Sequence, residues 1–200
     1  MVDSQLRPQG VNDPLVVEAM ASVPRETFVP EGQRSVAYLD RAVPLGGGRQ
    51  LSPADSTGLL LTALAPRPGQ KALVVGSGTG YCAALLTAIG LDVVALESDP
   101  GLMALAKGRG VKTAEGPLEA GLAKDSPYDL ILIDGAIEHL PETLVDQLAD
   151  GGAIGYALID RGVTRLVIGR KSGAALGTRT IADGAAGPLP GFKRPRAFTF

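Results

Sequence analysis

The chain has 200 residues, of which 45% are hydrophobic and 20% charged, and its formal net charge at pH 7 is −2. This length and composition predict a globular fold of one or at most two domains, and the charge predicts no attraction to nucleic acid or anionic membranes. One cysteine cannot form an internal disulfide, and one cysteine with one histidine argues against a metal site. The polar start MVDSQLRPQG resembles no secretory signal, and no run approaches the roughly 18 apolar residues of a membrane span, so we expect a cytoplasmic protein.

The first third of the chain predicts two helices separated by an irregular segment. Residues 12–23 have helical periodicity, with Asn12 or Asp13 as the N-cap. Residues 36–53 are rich in glycine and proline and lack periodicity, which favours a lid or substrate platform beside a ligand site. A second helix is predicted over residues 55–64.

From residue 71 onward, apolar strands alternate with helical segments. The predicted strands are residues 71–76, 91–97, 111–116, 128–136, 151–159 and 165–171, and the predicted helices are residues 81–89, 100–110 and 141–150. This alternation predicts an α/β fold with a Rossmann-like, doubly wound, mostly parallel sheet. Residues 178–181 and 196–200 predict short strands that form an antiparallel C-terminal edge.

We expect a single domain over residues 1–200. Within it, residues 1–68 form an N-terminal helical and loop cap with the active-site loop. Residues 69–170 form the ligand-binding core, and residues 171–200 form the edge strands.

The segment KALVVGSGTG, residues 71–80, predicts a strand that runs into a tight glycine turn and then a helix. Gly76, Gly78 and Gly80 let a ligand approach the main chain and the N–H groups at the helix start. Glu97 ends the next predicted strand, where an acidic residue accepts both hydroxyls of a ribose. The spacing GxGxG lacks the full dinucleotide fingerprint, so we expect a nucleoside cofactor other than NAD.

Several segments, in order, resemble the protein-L-isoaspartate O-methyltransferases, a family of S-adenosylmethionine-dependent methyltransferases. They are residues 20–30, 37–52, 72–84, 128–136 and 139–152. The element VPRETFVP is the most diagnostic, because it does not belong to methyltransferases at large. The resemblance implies S-adenosylmethionine as the cofactor. It also implies methylation of the α-carboxylate of isoaspartyl residues in damaged proteins as the activity.

The chain departs from the family pattern at five places. Val74 stands where the family usually has an acidic residue two positions before the first glycine, and the family's Gln-containing segment is not recognisable in residues 156–166. The other three departures lie in motifs of the predicted site. The active-site loop usually reads close to GQTIS and here reads GRQLS, which keeps Ser52. The loop after the fourth core strand is usually Thr-Ala-Ala and here is Asp134, Gly135 and Ala136. The third-strand motif, usually Gly-Asp-Gly, appears as Glu-Gly-Pro at residues 115–117.

Ser52 and Asp134 are the two catalytic candidates. The resemblance implies that the Ser52 hydroxyl donates a hydrogen bond to the substrate carboxylate. Asp134 follows the fourth core strand, at the edge where open α/β sheets bind their ligands. Its charge would repel a substrate carboxylate but would suit a general base for a hydroxyl or amine. Alternatives for Asp134 are a contact with the cofactor, a metal ligand of the kind found in catechol-type O-methyltransferases, or the cap of the next helix.

The residues predicted to contact the cofactor span the carboxyl ends of three strands. They are Gly76, Ser77, Gly78, Gly80, Tyr81, Glu97, Ser98, Glu115, Gly116 and Asp134. The glutamate at 115 is expected to accept from the adenine amine, and the tyrosine at 81 with Leu51 to wall the pocket. No metal, nucleic-acid or membrane partner is expected, and the oligomeric state stays open.

Two alternative functions remain beside isoaspartyl methylation. One is a methyltransferase of the same fold that acts on another nucleophile with Asp134 as base. The other is a catalytically inactive homologue that keeps the cofactor pocket. A nicotinamide-dependent enzyme is disfavoured by the incomplete glycine fingerprint.

Overall fold

A computed structural model describes residues 5–194 of the chain. The helices are α1 Pro14–Ser22, α2 Ala54–Leu64, α3 Tyr81–Ile89, α4 Pro100–Gly108 and α5 Glu142–Asp146. The strands are β1 Val43–Gly46, β2 Arg49–Leu51, β3 Lys71–Val75, β4 Asp92–Glu97, β5 Thr113–Glu115, β6 Tyr128–Ile137, β7 Leu148–Asp160, β8 Val163–Ser172 and β9 Ala175–Asp183. Short 3-10 turns connect several of these elements.

The central sheet has seven strands in the order β5-β4-β3-β6-β7-β8-β9. Strands β3 to β7 run parallel to one another, whereas β8 runs antiparallel to both β7 and β9. This topology confirms the predicted doubly wound sheet with an antiparallel C-terminal edge. The chain moves outward from β3 to β5 and returns on the other side with β6. The carboxyl ends of β3 and β6 therefore flank the point where such sheets bind ligands.

Strand β3 is buried on both faces, which explains its continuous apolar run. Ala72 and Val74 belong to the core cluster that includes residues of α1, α2 and α3. Leu73 and Val75 belong to a second cluster that includes Leu144 of α5 and residues of the C-terminal segment. The sheet thus lies between two layers, and its ligand-binding edge is held on both sides.

The N-terminal part contains both predicted helices and an unpredicted hairpin. Asp13 is the N-cap of α1, because its carboxylate accepts hydrogen bonds from the backbone N–H groups of Leu15 and Val16. The stretch 36–53, which we expected to be irregular, contains the antiparallel pair β1 and β2. These strands have three or four residues each and a glycine turn, so they carry too little alternation to be recognised from sequence.

The C-terminal half differs from the prediction in one helix. The helix predicted over residues 141–150 ends at Asp146, and strand β7 begins at Leu148. The reason is tertiary, since Leu148 is buried and pairs with Tyr128 in the parallel ladder. The predicted strand 178–181 lies within β9, and the predicted strand 196–200 lies outside the described residues. The proposed boundaries at residues 68 and 170 stay predictions.

Candidate active site

The glycine turn connects β3 to α3. Gly76, Gly78 and Gly80 have φ angles of 71°, 55° and 94°, which lie in the left-handed region that favours glycine. The hydroxyl of Ser77 is buried in this turn and has no hydrogen-bond partner within the described residues. A backbone cradle without Cβ atoms and a buried hydroxyl that needs a partner fit a polar ligand at this turn.

Glu97 ends β4 beside the glycine turn, and its side chain is fully buried. Its Oε2 accepts a hydrogen bond from Gly78 N at 2.7 Å. Its Oε1 accepts from Ser98 N at 2.8 Å and from Asp99 N at 3.0 Å. The fold therefore brings together the glycine turn and the acidic residue that sequence analysis assigned to one site.

Arg49 of β2 is a site residue that sequence analysis missed. Its Nη1 lies 2.7 Å from Glu97 Oε1, and its Nη2 donates to the carbonyl of Gly76 at 2.7 Å. Only 7% of the arginine side chain is exposed. The signal in the sequence was the departure GRQLS, in which Arg49 stands where the family pattern has glutamine.

A segment near the C-terminus crosses the end of β6 beside the glycine turn. Leu189 N donates to Ala136 O at 2.9 Å, and Ala136 N donates to Gly187 O at 2.8 Å. A Cβ at Gly76 would lie 2.9 Å from Leu189 Cδ1 and 3.3 Å from Arg49 Nη2. The leucine and the arginine therefore cover the same side of the turn.

Ser52 and Asp134 line one small cavity. Its other lining residues include Cys82, Thr57, Ser56 and Gly135. Asp134 lies within β6, and α5 begins only at Glu142 with Pro141 as its N-cap. The hypothesis that Asp134 caps the next helix is therefore wrong. The cavity instead places the serine and the aspartate, the two catalytic candidates, in one site.

The environment of Asp134 disfavours its charged form. Burial raises the pKa of this carboxyl to about 6. The neighbouring Cys82 thiol and the positive charges of Arg49 and Arg25 lower this pKa, whereas the charge of Glu97 adds to the increase. The pKa of Cys82 is raised by its burial and by the neighbouring aspartate, so Cys82 remains a thiol. A carboxyl with such a pKa in a cavity is a functional candidate.

Arg25, in the VPRETFVP element, fixes the segment that carries Ser52. It is fully buried and donates from Nε to Ala37 O at 2.7 Å and from Nη2 to Ser52 O at 2.5 Å. Its guanidinium lies 5.0 Å from the ring centroid of Tyr81, which also contacts Phe28 edge to face. Sequence analysis found the element but assigned it no role. The Tyr81 ring therefore packs against the N-terminal cap. Its contact with the cofactor stays a prediction.

The other predicted cofactor residues lie at the ends of β4 and β5. Glu115 is exposed and pairs with Glu97 in the parallel register. Gly116 N donates to the carbonyl of Glu97 at 3.3 Å. Ser98 is exposed and contributes its backbone N–H, while Leu51 is buried in the core. Contacts of these residues with a cofactor remain predictions.

Residues 5–194 contain neither a candidate metal cluster nor a membrane-spanning helix. No group of three or more His, Cys, Asp or Glu side chains is placed to hold a metal ion. No helix in this part of the chain is long and apolar enough to cross a membrane.

Comparison with known proteins links these features to one family. The family model for protein-L-isoaspartate(D-aspartate) O-methyltransferase matches residues 1–171. The chain is 39% identical over 175 residues to protein-L-isoaspartate O-methyltransferase 2 of Anaeromyxobacter sp. (strain Fw109-5), which covers 84% of this chain and 72% of that protein. It is 37% identical over 173 residues to the protein-L-isoaspartate O-methyltransferase of Methanospirillum hungatei. That match covers 83% of this chain and 80% of the relative.

Solved structures show the same fold. A structure named protein-L-isoaspartate O-methyltransferase has a TM-score of 0.82 and 23% identity, covering 92% of this chain and 63% of that one. A putative protein-L-isoaspartate O-methyltransferase from Plasmodium falciparum, in complex with S-adenosyl-L-homocysteine, has a TM-score of 0.79 and 21% identity. This match covers 92% of this chain and 94% of that one. With the family model matching most of its length, this chain belongs to the protein-L-isoaspartate O-methyltransferase family.

Proposed function

We propose that this chain is an S-adenosylmethionine-dependent methyltransferase that esterifies the α-carboxylate of isoaspartyl residues in damaged proteins. The observation that carries this proposal is the glycine turn beside Glu97 at the switch point of a sheet whose family is established. The names of the curated relatives state the same activity. We further propose that the protein acts in the cytoplasm and has no nucleic-acid, membrane or metal partner.

The cofactor would be held by the turn 76–80 and by Glu97. The Ser77 hydroxyl, which is buried without a partner among the described residues, would gain one. When bound, S-adenosylmethionine supplies a methyl group on a sulfonium cation. The contribution of the chain is to align the substrate oxygen with that group and to exclude water.

The substrate carboxylate is already ionised at pH 7, so its methylation needs no general base. Ser52 is 94% buried and faces the cavity that also holds Asp134. Its hydroxyl can donate one hydrogen bond to the carboxylate without surrounding it with water. Arg25 keeps this serine in place through the backbone carbonyl.

Radiolabelled S-adenosylmethionine, offered with an isoaspartyl peptide and with its normal aspartyl twin, tests the activity. Methyl ester should form on the isoaspartyl peptide alone. Ser52→Ala should lower kcat/KM by about tenfold or more, because a hydrogen bond to a charged group contributes about 1.5–3 kcal/mol. Ser22→Ala, an exposed serine of α1, is the matched control and should retain the wild-type rate. Equal labelling of both peptides would refute the proposed specificity.

A second candidate function follows from the environment of Asp134. A carboxyl with a pKa of about 6 beside Ser52 is suited to be the general base for a neutral hydroxyl or amine nucleophile. In that case the enzyme would methylate a different class of substrate.

Asp134→Thr separates the two functions, because threonine is the usual residue of the family pattern. With an isoaspartyl substrate and saturating cofactor the rate should be unchanged or higher, since the Asp134 carboxylate takes no part in the transfer and an unpaired charge there could only repel the substrate. If Asp134 is instead a general base, its replacement should lower kcat by about 10²–10⁴-fold. The measurement is kcat on the isoaspartyl peptide, with cofactor affinity determined separately. A loss of a hundredfold or more at unchanged affinity would favour the second function.

A further inference from the structure

Arg49 lies where the ribose of the cofactor would bind Glu97. The guanidinium reaches from β2 into the glycine turn, where it bonds the Glu97 carboxylate and the carbonyl of Gly76, each at 2.7 Å. Both charged side chains are buried, with 7% and 0% exposure. This ion pair occupies the acidic group on which cofactor binding depends in the proposed function.

Four donors already share the carboxylate of Glu97. Oε1 accepts from Arg49 Nη1, Ser98 N and Asp99 N, and Oε2 accepts from Gly78 N. A carboxylate offers about four lone-pair sites. A ribose that donates two hydroxyl groups to Glu97 therefore competes with these four donors. Three of them are backbone N–H groups, and the Arg49 guanidinium is the one that belongs to a side chain, so it is the donor that can leave.

A buried guanidinium that leaves its carboxylate needs another anion, because an unpaired buried charge is strongly unfavourable. Asp134 is the available group, since it lies in no ion pair within the described part of the chain. It follows Ile133, which pairs with Val75 of β3, so it lies beside the glycine turn whose first carbonyl Arg49 bonds. The positive charge of Arg49 also acts on the pKa of this carboxyl. The other charged or titratable groups that act on Asp134 are the Cys82 thiol of α3, Glu97 of β4 and Arg25. Arg25 cannot serve as the mobile cation, because it is anchored to two backbone carbonyls.

We propose that Arg49 blocks the ribose subsite of the free protein and that it moves from Glu97 to Asp134 when the cofactor binds. The proposal rests on the function proposed above. The move has a consequence for the reaction, because a guanidinium on Asp134 neutralises the charge that would otherwise repel the substrate carboxylate. Arg49 is thus a positioning residue.

Calorimetric titration with S-adenosylhomocysteine tests the first half of the proposal without any methyl transfer. Arg49→Gln, which restores the family's usual residue, should bind the ligand about tenfold more tightly or better, because the competing charged hydrogen bond is gone. Arg165→Gln on β8 is the matched control, as this arginine is 40% exposed and pairs with Asp160. It should bind like the wild type. Equal or weaker binding by Arg49→Gln would overturn the proposal.

Proton release tests the second half on the wild-type protein, so it does not depend on a variant that could misfold. If the guanidinium pairs with Asp134, the pKa of that carboxyl falls on binding, and a fraction of a proton should be released at pH 6. The release is measured as the difference between binding enthalpies in two buffers with different ionisation enthalpies. Asp134→Asn and Arg49→Gln should release none. Proton uptake, or no proton exchange, by the wild type would refute the move.

These outcomes separate the proposal from the function on which it rests. If the ligand binds as described but no isoaspartyl peptide is methylated, the assigned substrate is wrong and the role of Arg49 stands. If neither the wild type nor Arg49→Gln binds the ligand, both proposals fail.

Discussion

Glu97→Ala is expected to lower the free energy of unfolding by about 3–5 kcal/mol, because it leaves Arg49 buried without its counter-ion. The same change removes the acceptor of the backbone N–H groups of Gly78, Ser98 and Asp99. The loss is measured by urea denaturation at pH 7. Binding of S-adenosylhomocysteine should also weaken, since the ribose loses its acidic partner.

The double variant Glu97→Ala/Arg49→Ala is the diagnostic partner of this experiment. It removes both charges, so it should be destabilised by less than the sum of the two single variants. Glu18→Ala, an exposed position of α1, should stay within about 0.5 kcal/mol of the wild type. A loss of less than 1 kcal/mol in Glu97→Ala would show that the ion pair is not buried as described.

Asp134→Asn is expected to stabilise the protein at pH 7 by roughly 2–3 kcal/mol. The folded state holds the pKa of this carboxyl near 6, above its ordinary value of 3.8, so ionisation of Asp134 opposes folding. The penalty is absent below pH 3.8, grows between pH 3.8 and 6, and is complete above pH 6. Asparagine keeps the shape of the side chain but cannot ionise, so the gain should follow the same pH range.

Denaturation of wild type and Asp134→Asn at pH 4, 5, 6 and 7 measures this gain. Asp146→Asn is the control, because this aspartate is exposed at the end of α5. Its difference in stability from the wild type should not change with pH. A stabilisation of equal size at pH 4 and pH 7 would mean that the gain comes from packing and not from the removed charge. If the wild type is less stable than Asp134→Asn only at neutral pH, Asp134 is a residue kept for function at the expense of stability.

The glycine turn and Glu97 could be predicted because local sequence patterns specify them. An apolar run followed by Gly76, Gly78 and Gly80 requires a strand and a turn, because few other residues adopt these φ angles. Glu97 could be added because it ends the next parallel strand, and neighbouring parallel strands end at the same edge of a sheet. The helix that was predicted too long shows the limit of this reasoning, since Leu148 has an apolar side chain that suits either element.

The doubly wound sheet, the glycine turn with its acidic residue and, through resemblance, the family could all be predicted from the sequence. These features depend on periodicity and on spacing within one strand–helix unit. Which charged groups meet in the site depends on the packing of distant segments. Arg49 and Glu97 are 48 residues apart, and Arg25 and Ser52 are 27 residues apart. Their contacts arise when the N-terminal cap packs across the ends of the strands, and no local pattern records which distant side chains that packing brings together.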